Sequence, residues 1–231
     1  MLCNKKILKK ICLTRLHYFY KFTNLYYQFK SNPGVFMDRK ATVSRKSKET
    51  DISILINLDG NGKAEISTGI PFFDHMLTAF TVHGFFDLKI DASGDLEVDY
   101  HHTVEDVGLI LGQAISKALE NKKQIVRFGD SCVPMDEALS RVTIDLSNRP
   151  YLIYNFPHDL KAKGTFNIEL AKEFFQALCI QGAFNLHINS YYGANEHHVL
   201  ESIFKAFGRS LHMASRMNEK IFGALSTKGT L

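Results

Sequence analysis

The sequence predicts an α+β fold made of two β-sheet-plus-helices units, an internal duplication packed as one body. Three observations point there. Strand-like and helix-like patterns follow one another in the same order in both halves of the chain. Phe86-Asp87-Leu88-Lys89-Ile90 matches Phe184-Asn185-Leu186-His187-Ile188, 98 residues on. Asp99-Tyr100-His101-His102-Thr103-Val104-Glu105-Asp106 matches Asn195-Glu196-His197-His198-Val199-Leu200-Glu201-Ser202, 96 residues on. A two-residue loop difference reconciles the offsets, and duplication explains the pairing better than chance does.

Residues 1–36 stand apart. They hold seven basic residues, no acidic one and a cluster of aromatics from Tyr18 to Phe29, and end in the breaker Ser31-Asn32-Pro33-Gly34. Lys and Arg are scattered throughout, which argues against a secretory signal. The segment reads as a disordered basic extension, as sequence upstream of a true start at Met37, or as a targeting peptide. The core is then 37–231, two repeats of about 96 residues, roughly 37–125 and 126–231.

Within the first repeat, Asp51–Leu58 alternates apolar and polar residues and runs through Asp59-Gly60-Asn61-Gly62 into Lys63–Thr68, which predicts a hairpin. Pro71–His83 has helical spacing at Phe72, Met76, Ala79, Phe80 and His83, with Gly84 as the stop. Phe86–Ala92 reads as a strand and His101–Leu119 as a helix. In the second repeat Val142–Leu146 and Tyr151–Phe156 read as strands and Ile168–Gln181 as a helix closed by Gly182. Phe184–Ser190 follows as a strand and His197–Met217 as a helix.

With 231 residues, 45% of them hydrophobic and 23% charged, the composition is that of a globular protein, and no apolar run is long enough to span a bilayer. The net charge of +4 belongs to the extension. Residues 37–231 carry 21 basic against 24 acidic side chains, so the body is no nucleic-acid binder. Four widely spaced cysteines make neither a disulfide framework nor a thiolate zinc site, and imply a reducing compartment. Cys132 and Cys179 are expected to be buried as small apolar residues.

Two copies of His-His-x-x-Glu carry the chemistry. On a helix the Glu lies four residues after the first His and three after the second, so the three side chains share one end of a face. Adjacent histidines diverge by about 100° on a helix and therefore suit two ions, or a bridge to a neighbouring subunit, better than one ion. Imidazole and carboxylate without thiolate suit Mn, Fe, Co, Ni or Zn. With His75 and His187, the six histidines and two glutamates supply four ligands to each of two ions. His83, His158 and His212 lack such partners and are read as structural. Arg127, Arg149, Lys205 and the tail Ser226-Thr227-Lys228-Gly229 are candidate anion-binding groups.

These residues, in order, make the chain from Met37 resemble the imidazoleglycerol-phosphate dehydratase family. The resemblance runs through Lys48-Glu49-Thr50, Leu58-Asp59-Gly60, Ser67-Thr68-Gly69-Ile70, Phe72-Phe73-Asp74-His75-Met76-Leu77 and the first His-His-x-x-Glu. It continues through Arg127-Phe128-Gly129, Pro134-Met135-Asp136-Glu137-Ala138-Leu139, Asp145-Leu146-Ser147, Arg149-Pro150, the second His-His-x-x-Glu, Phe204-Lys205-Ala206 and Ser226–Gly229. Thr78-Ala79 depart from it, since many members carry Asp-Gln there.

The resemblance implies a fold like ribosomal protein S5 domain 2 and a metal-dependent lyase of histidine biosynthesis. It would convert D-erythro-imidazole glycerol phosphate to imidazole acetol phosphate and water. It implies two Mn²⁺ held by His75, His101, His102, Glu105, His187, His197, His198 and Glu201. Arg127, Arg149, Lys205, Ser226 and Lys228 would hold the phosphate, with Glu49, His75, His101, His197 and Thr227 also at the substrate. Glu49 and Glu201 would be the acid/base groups. A cytoplasmic homo-oligomer of 24 subunits with shared sites is implied, or a plastid one if 1–36 is a transit peptide. A two-metal phosphoesterase and a metal-assembled storage particle are the rival readings. The His-rich ligand set argues against the first, and the second gives Glu49 and the tail no task.

Overall fold

A computed structural model describes residues 39–157, 160, 164 and 166–229. The expectations for 1–36, Cys3, Cys12 and His158 lie outside the described residues. In chain order the elements are β1 (Lys40–Lys46), β2 (Thr50–Asn57), β3 (Ala64–Ser67), α1 (Pro71–Gly84), β4 (Asp87–Gly94) and α2 (His101–Leu119). Then come β5 (Phe128–Met135), β6 (Ala138–Asp145), β7 (Tyr151–Asn155), α3 (Ile168–Gly182), β8 (Asn185–Tyr192) and α4 (Glu196–Ser215). They form two four-stranded sheets of identical topology, β1-β2-β4-β3 and β5-β6-β8-β7. In each, three strands are antiparallel and the fourth runs parallel to its neighbour. The duplication is therefore a property of the fold. Among the described residues, no helix is long and apolar enough to cross a membrane.

The expected hairpin between β2 and β3 does not form. β4 inserts between them, pairing antiparallel with β2 and parallel with β3. The Asp87 carboxylate at the start of β4 accepts from the backbone N–H groups of Asn61 (2.8 Å) and Lys63 (3.2 Å), folding the Gly-rich loop onto β4 instead. A side chain at Gly60 would collide with the Asp87 backbone.

Ile52, Ile54 and Ile56 alternate inward along β2 and meet α2, while Val142 and Ile144 of β6 meet α4. Each second helix thus covers its own sheet. Each also packs on the first helix of the other half, α2 on α3 and α4 on α1. Phe80 stacks on Phe207 in the α1–α4 seam (4.9 Å between centroids), and Phe174 on Phe204 where α3 meets α4 (5.6 Å).

The two glycines expected to stop helices are the last helical residues. The left-handed positions fall to Phe85 (φ 56°) and Ala183 (φ 51°). Gly84 and Gly182 are needed for packing, because a Cβ on either would strike the ring of the phenylalanine two residues on, Phe86 or Phe184, and each also lies against a glycine of the crossing helix. A Cβ on Gly208 would come 3.1 Å from the Gly84 nitrogen and collide with the Phe80 carbonyl. One on Gly112 would lie 2.9 Å from the Gly182 nitrogen and 2.6 Å from the Leu178 oxygen. Gly208→Ala is expected to destabilise by about 1–3 kcal/mol, the usual cost of overpacking, read from denaturant unfolding. An unchanged midpoint would show that the helices can part without loss.

Cys179 is buried, but Cys132 is exposed. On β5 the inward residues are Gly129 and Ser131, since the α4 backbone at Ser210 approaches too closely for any Cβ on Gly129. Cys132 has the opposite parity and faces outward.

Lys122 is almost fully buried between the repeats, its Nζ donating to the carbonyls of Gly182 (3.4 Å) and Ala183 (3.2 Å) at the end of α3. Burial lowers its pKa from 10.5 to about 8, and the more distant Asp145 charge offsets only part of this. A lysine depressed in the fold binds fewer protons there than when unfolded, so stability rises with pH between about 8 and 10.5. Lys122→Met is expected to remove that rise, seen as a wild-type-minus-variant difference in unfolding free energy that grows across this window. A pH-independent difference would assign Lys122 no such role.

Candidate metal centre

The crossing of α1 and α4 brings His75, His197 and Glu201 together. Pro71 opens α1, and Asp74 fixes its entry by accepting from the N–H (2.9 Å) and hydroxyl (2.6 Å) of Thr68. His75 then lies on the exposed face one residue on. Asn195 caps α4 and accepts from the His197 N–H at 3.0 Å. Glu201, one turn beyond His197, reaches both imidazoles through one oxygen, 3.2 Å from His75 Nε2 and 3.1 Å from His197 Nε2. Its other oxygen takes Lys205 Nζ at 2.6 Å. Burial pushes the Glu201 pKa up, but Lys205 and the two histidines outweigh it and hold the carboxyl at about 2. One donor atom from each of His75, His197 and Glu201 lies within 4.8 Å of the others. Two imidazoles and an ionised carboxylate, open on one side, can hold a divalent transition metal and leave positions for further ligands.

The other expected ligands lie elsewhere in the single chain. His101 Nε2 faces Glu105 at 3.6 Å at the start of α2. His102 turns to Asp95 (3.0 Å) and His198 to Glu137 (2.6 Å), so within each motif only the first histidine faces its glutamate. These contacts raise the pKa of both histidines, and the His198 hydrogen bond leads the groups that lower Glu137 to about 2. His187 is exposed on β8, in a shallow cavity with Arg141, Asp145 and Tyr191. Glu49 sits exposed in the β1–β2 turn, where its charge contributes to the raised pKa of His102. His83 and His212 join no cluster; His212 packs on Phe85 at 5.6 Å.

The anion candidates divide. Arg127, Arg149, Ser226, Thr227 and Lys228 line one open cavity of about 900 Å³, joined by Lys220. The C-terminal tail is pinned there by Gln124 N–H to Gly223 O (2.8 Å) and by Arg127 Nη1 to Leu225 O (2.6 Å). Arg127 is also bidentate to Asp145 (2.7 and 3.1 Å), whereas Arg149 is 66% exposed with only a long 3.7 Å approach to that carboxylate. Lys205 stands apart from this cavity, on Glu201.

Asp95 and Glu137 are histidine partners to which the two His-His-x-x-Glu motifs do not point. Glu137 stands in the Pro134–Leu139 stretch that carries the family resemblance, an acidic residue just ahead of a strand. Asp95 gives no comparable signal.

Imidazoles and a carboxylate gathered where two helices cross, with cationic groups lining a cavity of their own, describe an enzyme for a small molecule. The family model of imidazoleglycerol-phosphate dehydratase matches residues 68–211. Relatives of that name from Acetivibrio thermocellus and Desulfosudis oleivorans are 55% and 54% identical over 195 residues, 84% of this chain and 100% of theirs. Among solved structures, the dehydratase of Staphylococcus aureus superposes with a TM-score of 0.68 at 40% identity, covering 78% of this chain and 98% of that one. That of Pyrococcus furiosus gives 0.72 at 38%, covering 82% and 100%. The chain belongs to the imidazoleglycerol-phosphate dehydratase family and is a dehydratase of histidine biosynthesis. Thr78, where many members carry Asp, bonds back to its own helix at the Asp74 carbonyl (2.8 Å).

Proposed function

We propose that the chain dehydrates D-erythro-imidazole glycerol phosphate to imidazole acetol phosphate and water, in dependence on two manganese ions. The His75–His197–Glu201 cluster is the observation that carries this reading, because its donor set fits such an ion. His75, His197 and Glu201 would hold one ion. His101 and Glu105 supply ligands to the other, and His102, His187 and His198, dispersed in one chain, complete the two sites when subunits assemble. Twenty-four subunits in the cytoplasm is the assembly proposed. Bound manganese would supply a Lewis acid that polarises and orients the substrate's imidazole.

The chain's own groups do the rest. Arg149, Ser226, Thr227 and Lys228, with Arg127 bracing the tail, would bind the phosphate from one subunit and Lys205 from another. Glu49 would remove the proton from the second carbon from the ring, the hydroxyl on the carbon beside the ring would leave as water with a proton from an acid group, Glu201 being the candidate, and the enol so formed would take a proton back at the carbon beside the ring to give the ketone.

The test is turnover of imidazole glycerol phosphate by chelator-stripped full-length chain, with and without added Mn²⁺. Metal-dependent imidazole acetol phosphate is expected. Release of inorganic phosphate in its place would favour the phosphoesterase. Arg149→Ala is expected to raise KM about 10–100-fold with kcat little changed, as for a contact made equally in ground and transition states. An unchanged KM would remove Arg149 from the phosphate site.

A further inference from the structure

We propose that Asp95 and Glu137 are positioning carboxylates for His102 and His198, and that the duplicated halves recruit them from different places, leaving Glu49 free for proton transfer. The inference rests on the metal reading above.

The two His-His-x-x-Glu motifs are wired alike. In each, the first histidine turns Nε2 to its own glutamate, His197 to Glu201 and His101 to Glu105. In each, the second turns Nδ1 to a carboxylate outside the motif, at 3.0 Å for His102 and Asp95 and 2.6 Å for His198 and Glu137. An ionised carboxylate can only accept, so Nδ1 carries the hydrogen and Nε2 of the neutral ring keeps the lone pair. At His198, Asn195 uses its side-chain oxygen to accept from the His197 N–H, which leaves its NH₂ donor facing Nε2 at 3.4 Å, while the Asp136 carboxylate stands farther from the same nitrogen, at 3.7 Å. A metal ligand must offer that lone pair, and a carboxylate behind the ring both orients it and raises its basicity.

The origins of the two carboxylates differ. Glu137 immediately precedes β6, and the residue immediately preceding β2 is Glu49. These are the same position in the two repeats. Asp95 immediately follows β4, whereas the segment after β8, Gly193-Ala194-Asn195, contains no acid. In the second half the turn glutamate must therefore serve the histidine. It also ties down that short segment, its other oxygen accepting from the N–H groups of Ala194 (3.1 Å) and Asn195 (2.8 Å). In the first half Asp95 serves the histidine and donates its own N–H to the Glu49 carbonyl at 3.2 Å. That contact holds the Glu49 turn beside His102 without engaging the Glu49 side chain, which makes no hydrogen bond among the described residues.

Mn²⁺ titrated into the chelator-stripped full-length chain, with free ion read by electron paramagnetic resonance, measures affinity without turnover. Glu137→Gln withdraws the charge and keeps one acceptor oxygen, which can serve Nδ1 or the two backbone N–H groups but not both. It and Asp95→Asn are each expected to weaken Mn²⁺ binding about 10–100-fold. Glu49→Gln, at the equivalent position, is expected to bind Mn²⁺ as the wild type does. Wild-type affinity in both Glu137→Gln and Asp95→Asn overturns the proposal, as does a Glu49→Gln chain that loses affinity as Glu137→Gln does. A wild type that binds no Mn²⁺ overturns the metal reading and this proposal together. Asp95→Asn, whose side chain anchors no loop, carries the test alone if Glu137→Gln does not fold.

Discussion

Glu201→Gln is expected to lower turnover at least about a thousandfold, since it removes a proposed metal ligand and a candidate acid group in one substitution. Both carboxylate oxygens are engaged, one by two imidazoles and the other by Lys205. Glutamine preserves the volume but removes the charge that gathers these three groups. Lys205 then loses its anionic partner, and its other hydrogen-bond contact among the described residues is the Met135 sulfur, 3.6 Å away. Breaking such a pair from one side is expected to destabilise the metal-free chain by about 2–3 kcal/mol, below the figure for full burial because both side chains keep some exposure. Kinetics, metal content and unfolding of the same preparation check all three effects. A variant that keeps its manganese and loses only turnover would restrict Glu201 to proton transfer. One that keeps both would remove it from the site.

The second large effect belongs to Glu49. With glutamine there, kcat is expected to fall about 10²–10⁴-fold, the usual contribution of a general acid or base, with KM nearly unchanged. The residue is exposed in a turn, so the fold should not register the change. Unfolding curves that overlay the wild type's, beside lost turnover, would separate chemistry from stability. Near-normal turnover would remove Glu49 from the mechanism.

What the sequence made legible was the part governed by periodicity. The helices α1 to α4 follow from apolar residues at helical spacing, and the duplicated His-His-x-x-Glu marks the candidate ligands at the start of α2 and α4. Two strands gave no such signal. In β1, Lys-Ala-Thr-Val-Ser-Arg-Lys, only Val43 is buried, because an edge strand on an otherwise exposed flank needs little apolar alternation. β5 contains Gly129, which the α4 backbone demands, and Pro134, which an edge strand tolerates, so its composition resembles a loop. The parallel placement of β3 depends on Asp87, far along the chain from the turn it captures. The same holds at the site. That His198 would turn from Glu201 to Glu137 is a matter of which carboxylate the β5–β6 turn presents, and motif spacing cannot express that.

The glycine crossings have a consequence of their own. Gly84 and Gly182 stand 98 residues apart and Gly112 and Gly208 stand 96 apart, the offsets that relate the repeats. Gly84 meets Gly208, and Gly112 meets Gly182. The contact is reciprocal: a patch on each repeat meets the other's equivalent patch, as in a two-fold symmetric homodimer. One chain thus contains an isologous interface joined by a linker. A lone repeat would expose the helix face that its twin now covers, and selection on either crossing acts on two glycines that drifted apart in sequence but not in task.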